Sequence, residues 1–156
     1  MSERLKSYPE IIDVIEAVCD SETDAIALMA TISCELFNRI PGFDWVGFYR
    51  VTEPGLLKIG PYQGGHGCLP IPFEKGVCGA AARTRQTQLV DDVDAFPGHI
   101  ACASTTRSEL VIPVQNNAGQ LIAVLDIDSD QPAFFSAGDT EMLEPMLVRI
   151  FGAIKV

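Results

Sequence analysis

Two apolar, β-branched runs, Arg107–Gln115 (RSELVIPVQ) and Gln120–Asp128 (QLIAVLDID), flank the four residues Asn116-Asn117-Ala118-Gly119. Runs of this length and composition read as strands, and an Asn/Gly segment between them reads as a tight turn, so the pair forms a β-hairpin. Strands joined by so short a link must be antiparallel, which commits the chain to an antiparallel sheet. The pattern recurs upstream, where Asp44–Val51 (DWVGFYRV) and Leu56–Tyr62 (LLKIGPY) are separated by a turn at Glu53-Pro54-Gly55. Thr87–Val93 (TQLVDDV) adds a further short strand.

The hairpin also has a chemical consequence. A turn centred between Asn117 and Ala118 sets Glu109 opposite Asp126 and Arg107 opposite Asp128. Opposed side chains lie about 5 Å apart on one face, and Asp126 and Asp128 share that face because strand side chains alternate. Three carboxylates and an arginine then converge on one patch of sheet. Like charges this close need compensation, from Arg107, a bound cation or the ammonium of a ligand. A one-residue difference in the turn would send Glu109 to the opposite face.

Helical periodicity brackets the strands. Ile11, Ile12, Ile15 and Val18 fall on one face of a helix starting at Pro9, and Ser21 with Asp24 resembles a capping box for a second helix. Ala25, Leu28, Met29, Ile32 and Leu36 carry that second stripe to about Asn38. Gly76–Arg85 (GVCGAAARTR) suits a short, closely packed helix. From Ser136 to Ile154, Met142, Leu143, Met146, Leu147 and Ile150 recur at helical spacing, with Pro145 expected to kink the helix. Helices that bracket a run of short-linked strands imply an α+β domain, an antiparallel sheet with N- and C-terminal helices packed on it. At 156 residues the chain is expected to be one domain, with helices over about 9–38, sheet and loops over about 44–130, and a last helix over about 137–154.

A net charge of -10 argues against a nucleic-acid backbone or an anionic membrane as partner and leaves a small molecule or another protein. No stretch approaches the roughly 20 apolar residues of a membrane span, and the start MSERLKSYPE lacks a signal peptide's apolar segment, so a cytosolic protein is expected. Its five cysteines then read as chemistry rather than as a disulfide framework. Cys19 and Cys34 lie within helical apolar patterns and are expected to be buried and inert. Cys68, Cys78 and Cys102 sit instead in Gly/Pro-rich or helix-start contexts, HGCLPIP, GVCGAAA and HIACAS. Cys78, in the first turn of its helix, is placed where the helix dipole favours a thiolate.

His66 with Cys68 and His99 with Cys102 pair an imidazole with a soft ligand, yet neither spacing matches a common zinc pattern, so no metal or other cofactor is expected. Both histidines read as loop residues bonding their own backbone. Thiol redox chemistry asks for less than protease-type catalysis: an attacking thiolate, a resolving thiol within reach, and donors that hold the substrate.

The segments WVGFYR, GPYQGGHGCLPIPFEKGVCGAAA, LVDDVDAFPGHIACAS, RSELVIPV and LIAVLDIDSD together resemble the free methionine-(R)-sulfoxide reductases, which are single GAF domains. The resemblance extends over nearly the whole chain. It implies that Cys102 attacks the sulfoxide sulfur and becomes a sulfenic acid, and that Cys68 or Cys78 resolves it as a disulfide reduced by thioredoxin. Cys68 is the favoured partner, and pairing requires Cα atoms within about 7 Å, hence movement of the glycine-rich loop Gln63–Gly67. Glu109, Asp126 and Asp128 correspond to the family's acids, suited to the α-ammonium of the free amino acid or to protonating the sulfoxide oxygen. Trp45 and Tyr49 match its aromatic positions, where a wall against the substrate's methyl and methylene groups competes with a plain core role. Ala103 departs from the aspartate common after the attacking cysteine. The other readings are a non-catalytic GAF module sensing a small ligand or redox state, and a partner-binding protein with a cysteine-held metal. Oligomeric state is not legible, a homodimer being one candidate.

Overall fold

The computed structural model describes residues 1–156. Its elements are α1 (Glu3–Cys19), α2 (Ala25–Arg39), β1 (Trp45–Glu53), β2 (Leu56–Gln63), β3 (Pro70–Pro72), α3 (Gly76–Thr84), β4 (Gln88–Val90), β5 (Ser108–Gln115), β6 (Leu121–Ser129) and α4 (Ala137–Phe151), with a 3-10 turn at Val93–Ala95. One sheet holds all six strands in the order β3-β2-β1-β6-β5-β4, antiparallel at every junction. The α+β architecture is the one the short-linked strands imply. β3 is the addition: Pro70 and Pro72 flank Ile71 on an edge strand, where a missing N–H costs no ladder bond.

The first helix begins six residues before Pro9. Ser2 caps it by accepting from Leu5 N–H, and the extra turn is held by tertiary bonds: Tyr8 is fully buried and donates to Asp139 at 2.7 Å, while the Arg4 guanidinium grips both Asp139 oxygens. Val18 is exposed, and Cys19 takes its place in the core with Ile11, Ile12 and Ile15. Ser21 is no capping residue. Its φ of 63° turns the chain out of α1, and Asp24 alone caps α2, accepting from Ile26 and Ala27 N–H. Cys34 lies on the outer side of α2 and is exposed, against the expectation of burial. Ser136 and Asp139 form a reciprocal capping box, and α4 runs through Pro145 as one helix.

Within the β5/β6 hairpin, Glu109 pairs with Asp128 and Val111 with Asp126, so the centre of pairing lies one residue later than the turn sequence suggests. Asn116 causes the difference: its side-chain oxygen accepts from both Ala118 and Gln120 N–H at 3.0 Å, closing a longer loop with a register shift beside it. The partners change by two positions, an even number, so Glu109 still shares a face with both aspartates. Arg107 does not join them. It lies beyond the end of β5, its side chain largely exposed and 3.8 Å from Asp94.

The two faces of the sheet differ in what covers them. α1, α2 and α4 pack on one, sealing a core of 26 buried residues that includes Ile32, Leu36, Phe48, Leu125 and Phe151. The other carries only α3 and loops, over a core of 13 that includes Trp45, Tyr49, Cys78 and Val124. Most of the apolar burial, and therefore most of the hydrophobic stabilisation, belongs to the three-helix face. No helix is long and apolar enough to cross a membrane.

Candidate active site

Alternation along three adjacent strands builds the site. β1 contributes Trp45, Gly47 and Tyr49 to the α3 face, β6 contributes Asp126 and Asp128, and β5 contributes Glu109. Gly47 lies across from Asp126, and a Cβ there would stand 2.4 Å from Tyr62 Cβ and 2.5 Å from the Trp45 ring. Its absence lets the Trp45 indole lie flat, stacked at 5.3 Å on Tyr62 and 5.9 Å on Tyr49. The indole N–H donates to the Gly65 carbonyl at 2.7 Å, so Trp45 also fastens the glycine-rich loop.

α3 closes the opposite wall. Gly76 adopts a φ of 69° and donates its N–H to the Gly98 carbonyl, tying the start of α3 to the loop that carries His99, Ile100 and Cys102. Gly79 lets α3 sit directly on the chain after β3, where an added Cβ would meet the Phe73 and Pro72 carbonyl oxygens at 2.7 and 2.8 Å. These two contacts turn Cys78 inward.

The result is a small, partly open cleft whose inner space is about 30 Å³, room for one or two waters. Trp45, Tyr49, Cys78, Cys102, Glu109, Asp126 and Asp128 line it, so seven of the eight residues singled out from the sequence meet there. The eighth, Cys68, packs beside the cavity and is joined to Cys102 by a disulfide with Cα atoms 5.3 Å apart. Also lining it are His66, Gly67, Ile71, Val77, His99, Ile100, Ala103 and Thr106. His99 does more than the loop role its sequence context suggests. Its Nε2 instead lies 3.7 Å from Glu109 Oε2, and its position three residues before Cys102 was the available signal.

Electrostatically the cavity is a cluster of acids without a cation. Burial, and then the charge of Asp128, pushes the Glu109 carboxyl up to about 8. Asp126 is driven well above the usual carboxylate range by burial and by Glu109, and Asp128 by burial and by Asp126. No lysine or arginine lines the space, and Asp126 Oδ1 is buried with no hydrogen-bond partner. The Cys78 thiol, 4.0 Å from Glu109 Oε1, is likewise pushed up by burial first and by Asp126 and Glu109 next. That reverses the expectation of a helix-start thiolate: desolvation and two carboxyls outweigh the dipole of a nine-residue helix. His99 is lowered by burial and is neutral at physiological pH.

A GAF-domain family model matches residues 23–150. The free methionine-R-sulfoxide reductase of Saccharomyces cerevisiae is 46% identical over 137 residues, covering 84% of this chain and 76% of that protein. Its Escherichia coli counterpart of the same name is 37% identical over 145 residues, covering 92% and 86%. In three dimensions, the free methionine-R-sulfoxide reductase of Neisseria meningitidis, solved in complex with its substrate, superposes with a TM-score of 0.88 at 41% identity, covering 94% of this chain and 87% of that one. The protein thus belongs to the GAF-domain family, and within it to the group of the free methionine-R-sulfoxide reductases.

Proposed function

We propose that the protein is an oxidoreductase that reduces free methionine-(R)-sulfoxide to methionine, with Cys102 as nucleophile and Cys68 as resolving thiol. The observation that carries this reading is a cysteine pair within bonding distance beside a pocket of three buried acids that no lysine or arginine lines. The disulfide takes up both loop thiols, Cys68 and Cys102, as expected of the oxidised form at the end of a turnover.

In the reduced protein, the Cys102 thiolate attacks the sulfoxide sulfur while the sulfoxide oxygen takes a proton. As the substrate's S–O bond and the new bond to Cys102 Sγ break, the hydroxyl passes to Sγ, leaving Cys102 as the sulfenic acid and releasing methionine as the thioether. The Cys68 thiol then displaces water from that sulfenic acid, forming the Cys68–Cys102 bond, and a thioredoxin dithiol restores both thiols. Glu109, held protonated up to about pH 8, is our candidate for the proton donor to the oxygen. Asp126 and Asp128 are assigned to the substrate's α-ammonium, whose charge would bring their raised pKa values down again.

The requirement for an ammonium in an enclosed pocket supports selection of the free amino acid, because a peptide-bound residue brings an uncharged amide instead. Trp45 and Tyr49 are assigned to the methyl and methylene groups. Cys78, buried and protonated, is assigned to the pocket wall rather than to resolution. Dependence on a thioredoxin fits a cytoplasmic protein. The test is NADPH consumption with thioredoxin and its reductase: turnover is expected with wild type and not with Cys68→Ser, and equal rates for the two would remove the resolving assignment.

A further inference from the structure

We propose that the reduced protein binds one soft divalent cation, Zn2+ or Cd2+, through Cys78 Sγ and the carboxylates of Glu109 and Asp126, and that this ion and the substrate exclude each other. The proposal rests on reading the cavity as a seat for a positive charge. It adds a second kind of occupant and with it a route to inhibition by metal.

Cys78, Glu109 and Asp126 each offer a donor atom, and the three atoms lie within 4.8 Å of one another, all on buried residues. Tetrahedral zinc with bonds of about 2.0 Å to oxygen and 2.3 Å to sulfur holds neighbouring donors roughly 3.5 Å apart. Side-chain adjustments of about an ångström would bring the three into place, and Cys78 Sγ already stands 4.0 Å from Glu109 Oε1. His99 Nε2, 3.7 Å from the other Glu109 oxygen, is at hand as a fourth donor at the rim.

A second observation points to a missing ligand. Asp126 is only 5% exposed, yet its Oδ1 makes no hydrogen bond. Buried polar atoms are normally satisfied, and no lysine or arginine lines this cavity to do so. The donor set also selects among ions. A thiolate discriminates against Mg2+ and Ca2+, whereas one sulfur with carboxylates suits Zn2+ or Cd2+. Neither histidine–cysteine sequence pair, His66/Cys68 or His99/Cys102, is this site; its donors come from α3, β5 and β6.

Cys102 lines the cavity and is tied to Cys68 by the disulfide, so the ion is expected to enter more readily once that bond is reduced. The variant Cys34→Ser/Cys68→Ser/Cys102→Ser leaves Cys78 and the distant core residue Cys19 as its thiols. Titrated with Cd2+, it is expected to develop one thiolate-to-cadmium ultraviolet band per chain, and with Zn2+ to show one site by calorimetry. Adding Cys78→Ser should abolish the band. Adding Glu109→Gln should weaken binding by at least about tenfold, since even outer-shell changes cost that much. Free methionine sulfoxide should suppress the band.

Prereduced wild-type protein provides the check that does not depend on the variants folding: cadmium NMR should report a one-sulfur site, whereas binding between Cys68 and Cys102 would report two. A band that is absent, that survives Cys78→Ser, or a two-sulfur signal overturns the site, and a band insensitive to the sulfoxide overturns the exclusion. Thioredoxin-coupled turnover of untreated wild type is scored separately. Turnover without a band removes the ion site and keeps the reductase; a band without turnover does the reverse.

Discussion

At the scale of single residues, the proposed reaction rests on three acids and two kinds of thiol. Glu109 sits with its carboxyl raised to about 8 from an ordinary value of 4.5, so the folded, ligand-free protein holds a proton that the unfolded chain releases. The resulting stability is fully present below about pH 4.5 and is lost as pH rises towards 8. Urea unfolding from pH 5 to 8 should therefore show stability falling for wild type and a shallower slope for Glu109→Gln. Parallel slopes would mean that Glu109 is ionised throughout. Cys78 differs from Cys68 and Cys102 in being held protonated by burial, so Cys78→Ser should still form the Cys68–Cys102 disulfide after one exposure to substrate, detected as the loss of two thiols. The acids were legible in the sequence because alternation fixes their face whatever the even-numbered register. Cys78 was not. Its helix-start position suggested a thiolate, and only the three-dimensional burial shows that solvation decides the matter.

At the scale of elements, α3 is the piece that turns a sheet surface into a pocket, and its closeness depends on Gly79. A methyl group there would press on the Phe73 and Pro72 carbonyl oxygens at under 3 Å, backbone atoms that cannot step aside cheaply. Gly79→Ala should destabilise the protein by about 1–3 kcal/mol, in the range of overpacked sites, and lower turnover by displacing the pocket wall. Unchanged unfolding and unchanged activity would show that α3 tolerates the shift. Sequence reasoning found this helix from its small residues, and both hairpins from their turns. It left Gln63–Pro72 between a loop and an irregular strand, because two prolines mask the three-residue edge strand β3, and it shortened α1 because the bonds of Arg4 and Tyr8 to Asp139 arise 130 or more residues away in sequence. The hairpin register was off for a local reason, the two hydrogen bonds accepted by Asn116.

At the scale of the whole molecule, stability and chemistry occupy opposite faces of one sheet. The face under α1, α2 and α4 buries 26 residues, among them Ile32, which is fully enclosed. Ile32→Ala should cost about 2–5 kcal/mol in unfolding free energy while leaving turnover per folded molecule near wild type; a selective loss of activity instead would show that the two faces are coupled. The fold was readable because its strands are short-linked and its helices strongly periodic. The meeting of the cysteines and aromatic residues with the acids was legible through the family resemblance, whereas the approach of His99 to Glu109 was not legible, since no local pattern brings the two together. The central claim is that this cavity reduces the free R epimer through its own cysteines. It is tested most directly by mixing prereduced protein, without any external reductant, with free methionine-(R)-sulfoxide, its S epimer or a peptide-bound sulfoxide, and counting methionine formed per chain. About one equivalent from the free R epimer alone, with a Cys68–Cys102 disulfide in the product, is the predicted result; no methionine from that epimer, given protein shown to be folded and reduced, would contradict the account.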